Sequence, residues 1–304
     1  MSVTTLDPPE DPVLARRAAI QLAATSSLRR RKAYSTAGIW VCRAFLLIAV
    51  IPLLGVILYV VSKGLPAWNV DFFTQVTKPE GIPNGGIKNA IVGSLIIDGI
   101  AVAFSVPFGV VGGLFLAESD GRIAGGVRLM ADVLTGVPSI TIGIFGYIVW
   151  VKNVGSYSGL AGAFAISIVM IPVIMRAAET ALRGVPGTLS EAALSLGARK
   201  FTIARRVVVP AALPGLITGV LLAVARGAGE TAPLLFTAFG NQFLQTNPTK
   251  PMETMPHTIY TYSSQPYADL VQIAWGTALL LMLVILVLNV GSRLIAARLG
   301  RERG

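Results

Sequence analysis

The chain has little of what enzyme active sites are usually built from. Its 304 residues include one cysteine, Cys42, and one histidine, His257. A single thiol closes no intramolecular disulfide, and the pair is too sparse for a Cys/His metal site. His257 falls between Pro256 and Thr258 in a polar loop, and reads as a solvated residue rather than a ligand or base. No G-x-x-x-x-G-K-S/T run occurs, which excludes ATP hydrolysis on a Walker loop by this chain. H-E-x-x-H and G-x-S-x-G are also missing, which argues against a membrane protease or hydrolase. Charge is scarce as well: 13% of residues are charged, against about 25% in soluble domains. Nothing in the sequence suggests a soluble domain, a low-complexity tract or a long-period repeat.

What is abundant is apolar sequence in long runs. Hydrophobic residues make up 54% of the chain, with 32 glycines and 18 prolines among the rest. Both glycine and proline are tolerated in membrane helices more than in soluble ones. A spanning helix needs about 20 mostly apolar residues, and six stretches meet that length: roughly 38–62, 89–117, 127–151, 158–183, 207–239 and 269–292. The expected fold class is therefore an all-α polytopic membrane protein. The formal net charge of +10 lies mostly between the apolar runs, so it reads as membrane topology and contact with anionic lipid rather than nucleic-acid binding.

Orientation follows from where those basic residues fall. With the N-terminus inside, the outer segments hold only Lys63, Lys78, Lys88, Lys152 and Lys250. The inner segments hold nearly all the others, which puts both termini in the cytoplasm. Residues 1–37 read as a mobile, basic cytoplasmic tail, 38–295 as the membrane domain and 296–304 as a cytoplasmic C-terminal tail. Two outer segments, 63–88 and 240–268, are longer than turns. Their aromatic content and the Pro83-Asn84-Gly85-Gly86 turn favour docking on a partner.

Two basic residues lie inside apolar spans. Arg176 has Glu179 three positions on, and Arg226 has Glu230 four positions on, in the echoing segments RAAETA and RGAGETA. Either spacing brings the pair to one helix face. A guanidinium offers a planar fork of donors that matches phosphate oxygens and keeps its charge. Its carboxylate neighbour offsets that charge and keeps binding weak, as transport requires. A pair of local salt bridges that only lock helices is the blander alternative. Gly227 and Gly229 leave room beside Arg226, and Pro233 is expected to bend the fifth span. Asp98 is a weaker candidate for the pathway, and Asp132 reads as interfacial.

The inner stretch 183–217 reads RGVPGTLSEAALSLGARKFTIARRVVVPAALPGLI. It suggests a short helix capped by Thr188 or Ser190 with Glu191 in its first turn, ended by Gly197, and a second, basic helix from Arg199 to Arg206. On physics alone this is an amphipathic elbow at the membrane surface. Glu191-Ala192-Ala193, Gly197, Ile203, Pro210 and Pro214 resemble the EAA loop of ABC importer permeases. ARGAGETAPLLFTAFG at 225–240, MPHTIY at 255–260 and the Arg176–Thr180 segment are similar to the phosphate-uptake permeases of the PstA type. The resemblance covers roughly residues 85–295.

It implies a MetI-like, type I architecture with a coupling segment at 184–206 between helices four and five. Glu191, Ala192, Ala193 and Gly197 would then contact an ATPase, and Arg176, Glu179, Arg226 and Glu230 would line the path. It further implies a second, homologous permease, an ATP-binding subunit dimer that alone holds the nucleotide, and an extracytoplasmic phosphate-binding protein. Importers of sulfate, molybdate or phosphonate, and a membrane enzyme acting on phospholipid, are the competing readings.

Overall fold

The computed structural model describes residues 12–79, 82 and 85–301. Pro83 and Asn84 of the expected outer turn lie outside the described residues. The described chain is helical, and its only β feature is an isolated bridge between Phe239 and Met252. The first helix, α1, runs Pro12–Gly64, so helix continues through residues 12–37, the part of the expected tail that the structure describes. It crosses from an N-terminal unit ending at Tyr59 into the body that begins at Val60. Within the N-terminal unit α1 presents Phe45, Leu47, Ile48 and Leu58 outward, as a lipid-facing apolar helix does.

In the body, α2 (Val70–Thr74) is capped by the Asn69 side chain, which accepts from Phe72 N at 2.8 Å. The long helix α3 (Lys88–Glu118) is followed by α4 (Arg122–Gly136) and α5 (Ser139–Val154). The expected third span, 127–151, is thus two helices bent by 101°. The reason is local: Pro138 cannot continue α4 and pushes Val137 into an extended conformation (φ −68°, ψ 132°).

Helix α6 (Gly159–Arg183) is the central one, capped by Ser158. Ile166, Met170 and Ile174 on its inner face meet Ile97 and Ala101 of α3 in the main apolar core. Then come α7 (Gly187–Ser195) and α8 (Lys200–Ala228). A π turn at Ala204–Val208 precedes Pro210, whose missing amide hydrogen leaves an α-helical ladder incomplete there. The basic helix expected from Arg199 to Arg206 is therefore the start of α8 rather than a separate element.

The expected fifth span, 207–239, also breaks. Helix α8 ends at Ala228, and α9 (Ala232–Thr237) restarts after it. Gly229 N donates to Arg226 O and Glu230 N to Gly227 O, which closes the turn. Pro233 then falls in the first turn of α9, where no amide donor is required. The break lies just before the proline. The chain finishes with α10 (Met255–Ser263) and α11 (Ala268–Arg301). Among the described residues, five helices are long and apolar enough to cross a membrane, and the bent pair α4–α5 makes six if counted as one span.

Candidate functional site

Small residues set the register of α6 against α8. A Cβ on Gly219 would overlap Ala177 Cβ, one on Gly215 would lie 2.8 Å from Ala181 Cβ, and one on Gly227 would lie 2.9 Å from Met170 Sδ. The helices therefore run antiparallel in close contact. Arg226 lies two turns after Gly219 on α8, whereas Arg176 lies one residue before Ala177 on the oppositely directed α6. At a rise of about 1.5 Å per residue, the two arginines sit at depths that differ by about 9 Å. Their backbone positions are thus offset along the α6–α8 pair. Arg176 also lines a cavity of about 540 Å³ with Thr180, Gly215, Thr218, Gly219 and Ala296.

Around Arg176 lies a network of ion pairs. Glu179 is only 5% exposed, and its two oxygens are shared among arginines from two helices. Oε2 accepts from Arg176 Nη1 at 2.5 Å, and Oε1 accepts from Arg128 Nε at 2.6 Å, with Arg183 Nε 3.4 Å away. Arg176 Nε in turn meets Asp132 Oδ1 at 3.0 Å. Arg128 and Asp132 are one turn apart on α4, so two rungs, Arg128–Glu179 and Asp132–Arg176, lace α4 to α6. Arg128 Nη2 also donates to Leu116 O (2.6 Å) and Ser119 O (2.8 Å), and Arg183 Nη2 to Leu116 O (3.1 Å). These cations cap the last carbonyls of α3, where the helix dipole favours positive charge. In the α3–α4 turn, Asp120 accepts from Arg183 Nη2 at 2.5 Å. That bond and the Arg183 charge hold its carboxyl below the ordinary carboxylate range.

The sequence points to Arg176 and Glu179 and leaves Asp132 interfacial, and it does not single out Arg128. Both are partners of the predicted pair. The second pair is looser: Arg226 Nε and Glu230 Oε1 are 3.7 Å apart, across the break that ends α8.

In the loop after α6, no residue of α7 is buried. Leu196, just after it, is 89% exposed, and Glu191 and Ala192 are exposed too. Gly197 takes a left-handed conformation (φ +78°). Its amide donates to Leu194 O at 2.8 Å, and Ala198 N donates to Ala193 O at 3.1 Å, so Gly197 ends the helix as expected. The start differs. Pro186 occupies the cap position without a side-chain bond. Helix α7 therefore begins earlier than Thr188 or Ser190 would set it, and Glu191 sits in its middle.

At the opposite end of the body is a cluster the sequence reading missed. His257 is not solvated: its side chain is 14% exposed, and Nδ1 is 2.6 Å from Glu253 Oε1. Glu253 also accepts from Thr254 N at 3.0 Å. Asn89 ties the two outer segments together, accepting from Thr77 and donating to Asn241 O at 2.8 Å. Ser94 Oγ accepts from Met255 N at 2.9 Å. Gly93 allows the Glu253 carbonyl to rest on α3, and Gly240 lets His257 and Glu253 close over the loop. Aromatic side chains here serve packing as well as surface: Phe72 is buried, while Phe243 is exposed.

A tightly packed antiparallel helix pair, an exposed helix between them in sequence, and charge buried at one end belong to a helical body with helices long enough to make a polytopic membrane protein. The family model for the binding-protein-dependent transport system inner membrane component matches residues 109–301, and the chain belongs to that family. It is 43% identical over 236 residues to a phosphate transport system permease protein PstA of Haemophilus influenzae, covering 77% of this chain and 83% of that one. It is 34% identical to the phosphate transport system permease protein PstA 1 of Mycobacterium tuberculosis, over 100% of this chain and 97% of that one.

Two solved transporters share the fold. A bacterial alginate ABC transporter chain superposes with a TM-score of 0.61 at 15% identity, covering 85% of this chain and 94% of that one. A chain of the MetNI methionine ABC transporter gives 0.54 at 19%, covering 70% and 93%. The architecture is that of an ABC importer permease.

Proposed function

We propose that this chain is the permease subunit of an ATP-driven importer that moves inorganic phosphate across the cytoplasmic membrane. The observation that carries the reading is the pair of arginine stations, Arg226 and Arg176, at different depths of the α6–α8 groove. Each offers a guanidinium to an oxyanion and has a carboxylate beside it to keep the hold weak. The names of the relatives favour phosphate among the oxyanions.

The lysine and arginine distribution favours the α7 end as cytoplasmic, with both termini on that side. Exposed α7, with Glu191, Ala192, Ala193 and the Gly197 turn, is then the segment that seats on an ATP-binding subunit. ATP is bound and hydrolysed by that partner, present as a dimer. A second, homologous permease completes the path, since one chain of this size lines only one wall. An extracytoplasmic binding protein delivers phosphate to the opposite end.

The test is uptake of radiolabelled phosphate by the reconstituted transporter, with sulfate as competitor. Arg226→Gln and Arg176→Gln are expected to abolish uptake, with Arg226→Gln leaving the complex assembled. Glu191→Lys is expected to leave the chain inserted but to remove stimulated ATPase activity. Undiminished uptake in both arginine variants would reduce the pairs to helix locks. Effective competition by sulfate would widen the substrate to oxyanions at large.

A further inference from the structure

Arg176 carries two carboxylates that are held very differently. Glu179 is nearly buried and fixed by arginines from both α4 and α6. Asp132 has a side chain that is 55% exposed and pairs with Arg176 Nε alone among the described residues. The third guanidinium nitrogen, Nη2, makes no ion pair among the described residues. Arg176 also borders the groove cavity beside Thr180 and Thr218. The side of the guanidinium formed by Nε and Nη2 is the one a phosphate would grip with two oxygens, and Asp132 holds half of it.

We propose that Asp132 is a tethered competitor for the anion at Arg176, filling the Nε position when the station is empty and yielding it when phosphate arrives. This rests on the arginine-pathway reading and adds a residue to it. An exposed ion pair contributes about 0.2–1 kcal/mol, small enough for an incoming dianion to displace. Displacement opens one of the two rungs between α4 and α6 and leaves the other, Arg128–Glu179, in place. The first turns of α4 stay pinned to the end of α3. The later turns, which lead into the 101° bend before α5, are freed. Occupancy of the Arg176 station is thereby linked to the position of the bent span, and weak binding follows from competition as well as from the Glu179 charge.

The experiment measures binding of radiolabelled inorganic phosphate to the assembled transporter in lipid nanodiscs, with the binding protein omitted. Asp132→Asn keeps the shape and removes the competing charge, and is expected to tighten binding about two- to five-fold. Asp132→Glu is expected to return it to the wild-type value. Arg128→Gln, which loosens α4 at the other rung, should not tighten it. Unchanged or weaker binding by Asp132→Asn overturns the proposal, as does equal tightening by Arg128→Gln. Failure of Asp132→Asn alone to copurify with its partners would make Asp132 a brace and overturn it too. Arg176→Gln separates the two claims: if it binds phosphate as well as wild type, the arginine pathway itself fails. If it does not bind while Asp132→Asn shows no gain, only the role of Asp132 falls.

Discussion

RAAETA on α6 and RGAGETA at the end of α8 hold the same chemistry, yet the fold treats them in opposite ways. Arg176 sits inside a continuous helix, 2.5 Å from Glu179, and that glutamate is shared with Arg128 of another helix. Arg226 sits in the last turn of its helix, 3.7 Å from Glu230. The difference begins with Gly227 and Gly229, which replace alanine-like helix formers at about 1 kcal/mol each. Helix α8 ends at Ala228, so Glu230 lies on a turn and the helical i,i+4 geometry is not kept. Spacing along one helix sets which groups can meet. What they become depends on whether the helix continues and on what a neighbouring element brings.

The largest expected effect tests this contrast directly. Glu179→Ala strips three partly exposed arginines of a shared, nearly buried carboxylate, and the loss of its charge-assisted bonds costs about 1.5–3 kcal/mol. Glu230→Ala removes a longer, looser pairing and should cost about 1 kcal/mol or less. Thermal unfolding of the two purified variants, run side by side, measures both. Equal losses would erase the distinction between the stations.

The next effect is on transport rather than stability. Arg226→Lys keeps the charge but loses the planar fork, and uptake should fall about ten-fold, since a charge-assisted bond contributes about 1.5–3 kcal/mol. Its unfolding should shift by no more than about 1 kcal/mol. Arg176→Lys should lower both stability and uptake, because the same side chain bridges Glu179 and Asp132. If Arg226→Lys transports normally, a point charge suffices at position 226.

The spans were legible in the sequence because length and apolarity are local properties. The departures fall where backbone chemistry interrupts an apolar run, at Pro138 and at Gly229–Thr231, the second just before the bend expected at Pro233. Arg176–Glu179 was legible because both residues lie on one helix. Arg128 and Asp132 were not, since their roles arise only when α4 folds against α6, and nothing in a single sequence pairs positions that far apart. Gly197 was legible because a left-handed helix end is written in one residue. His257 was misread because a polar neighbourhood suggested solvent. The available signal was Glu253, one helical turn before it, and the close approach that Gly93 and Gly240 permit depends on the folded chain.

The smallest effect contrasts a buried carboxylate with an exposed one in the same network. Asp120 is solvent-exposed and accepts from Arg183, whose hydrogen bond and charge lower its pKa from the ordinary 3.8. A carboxyl that ionises more easily when folded stabilises the fold above its unfolded value, and that contribution fades as pH falls through the lower folded value. Asp120→Asn should therefore lower the melting temperature slightly near neutral pH, with the gap to wild type closing below pH 3.8. Salt should close it as well, because the screening length drops to about 3 Å at 1 M. The Glu179→Ala deficit should survive the same salt, since its carboxylate is shielded from solvent. An Asp120→Asn deficit that persisted in both acid and salt would mean that the residue shapes the α3–α4 turn and contributes nothing through its charge.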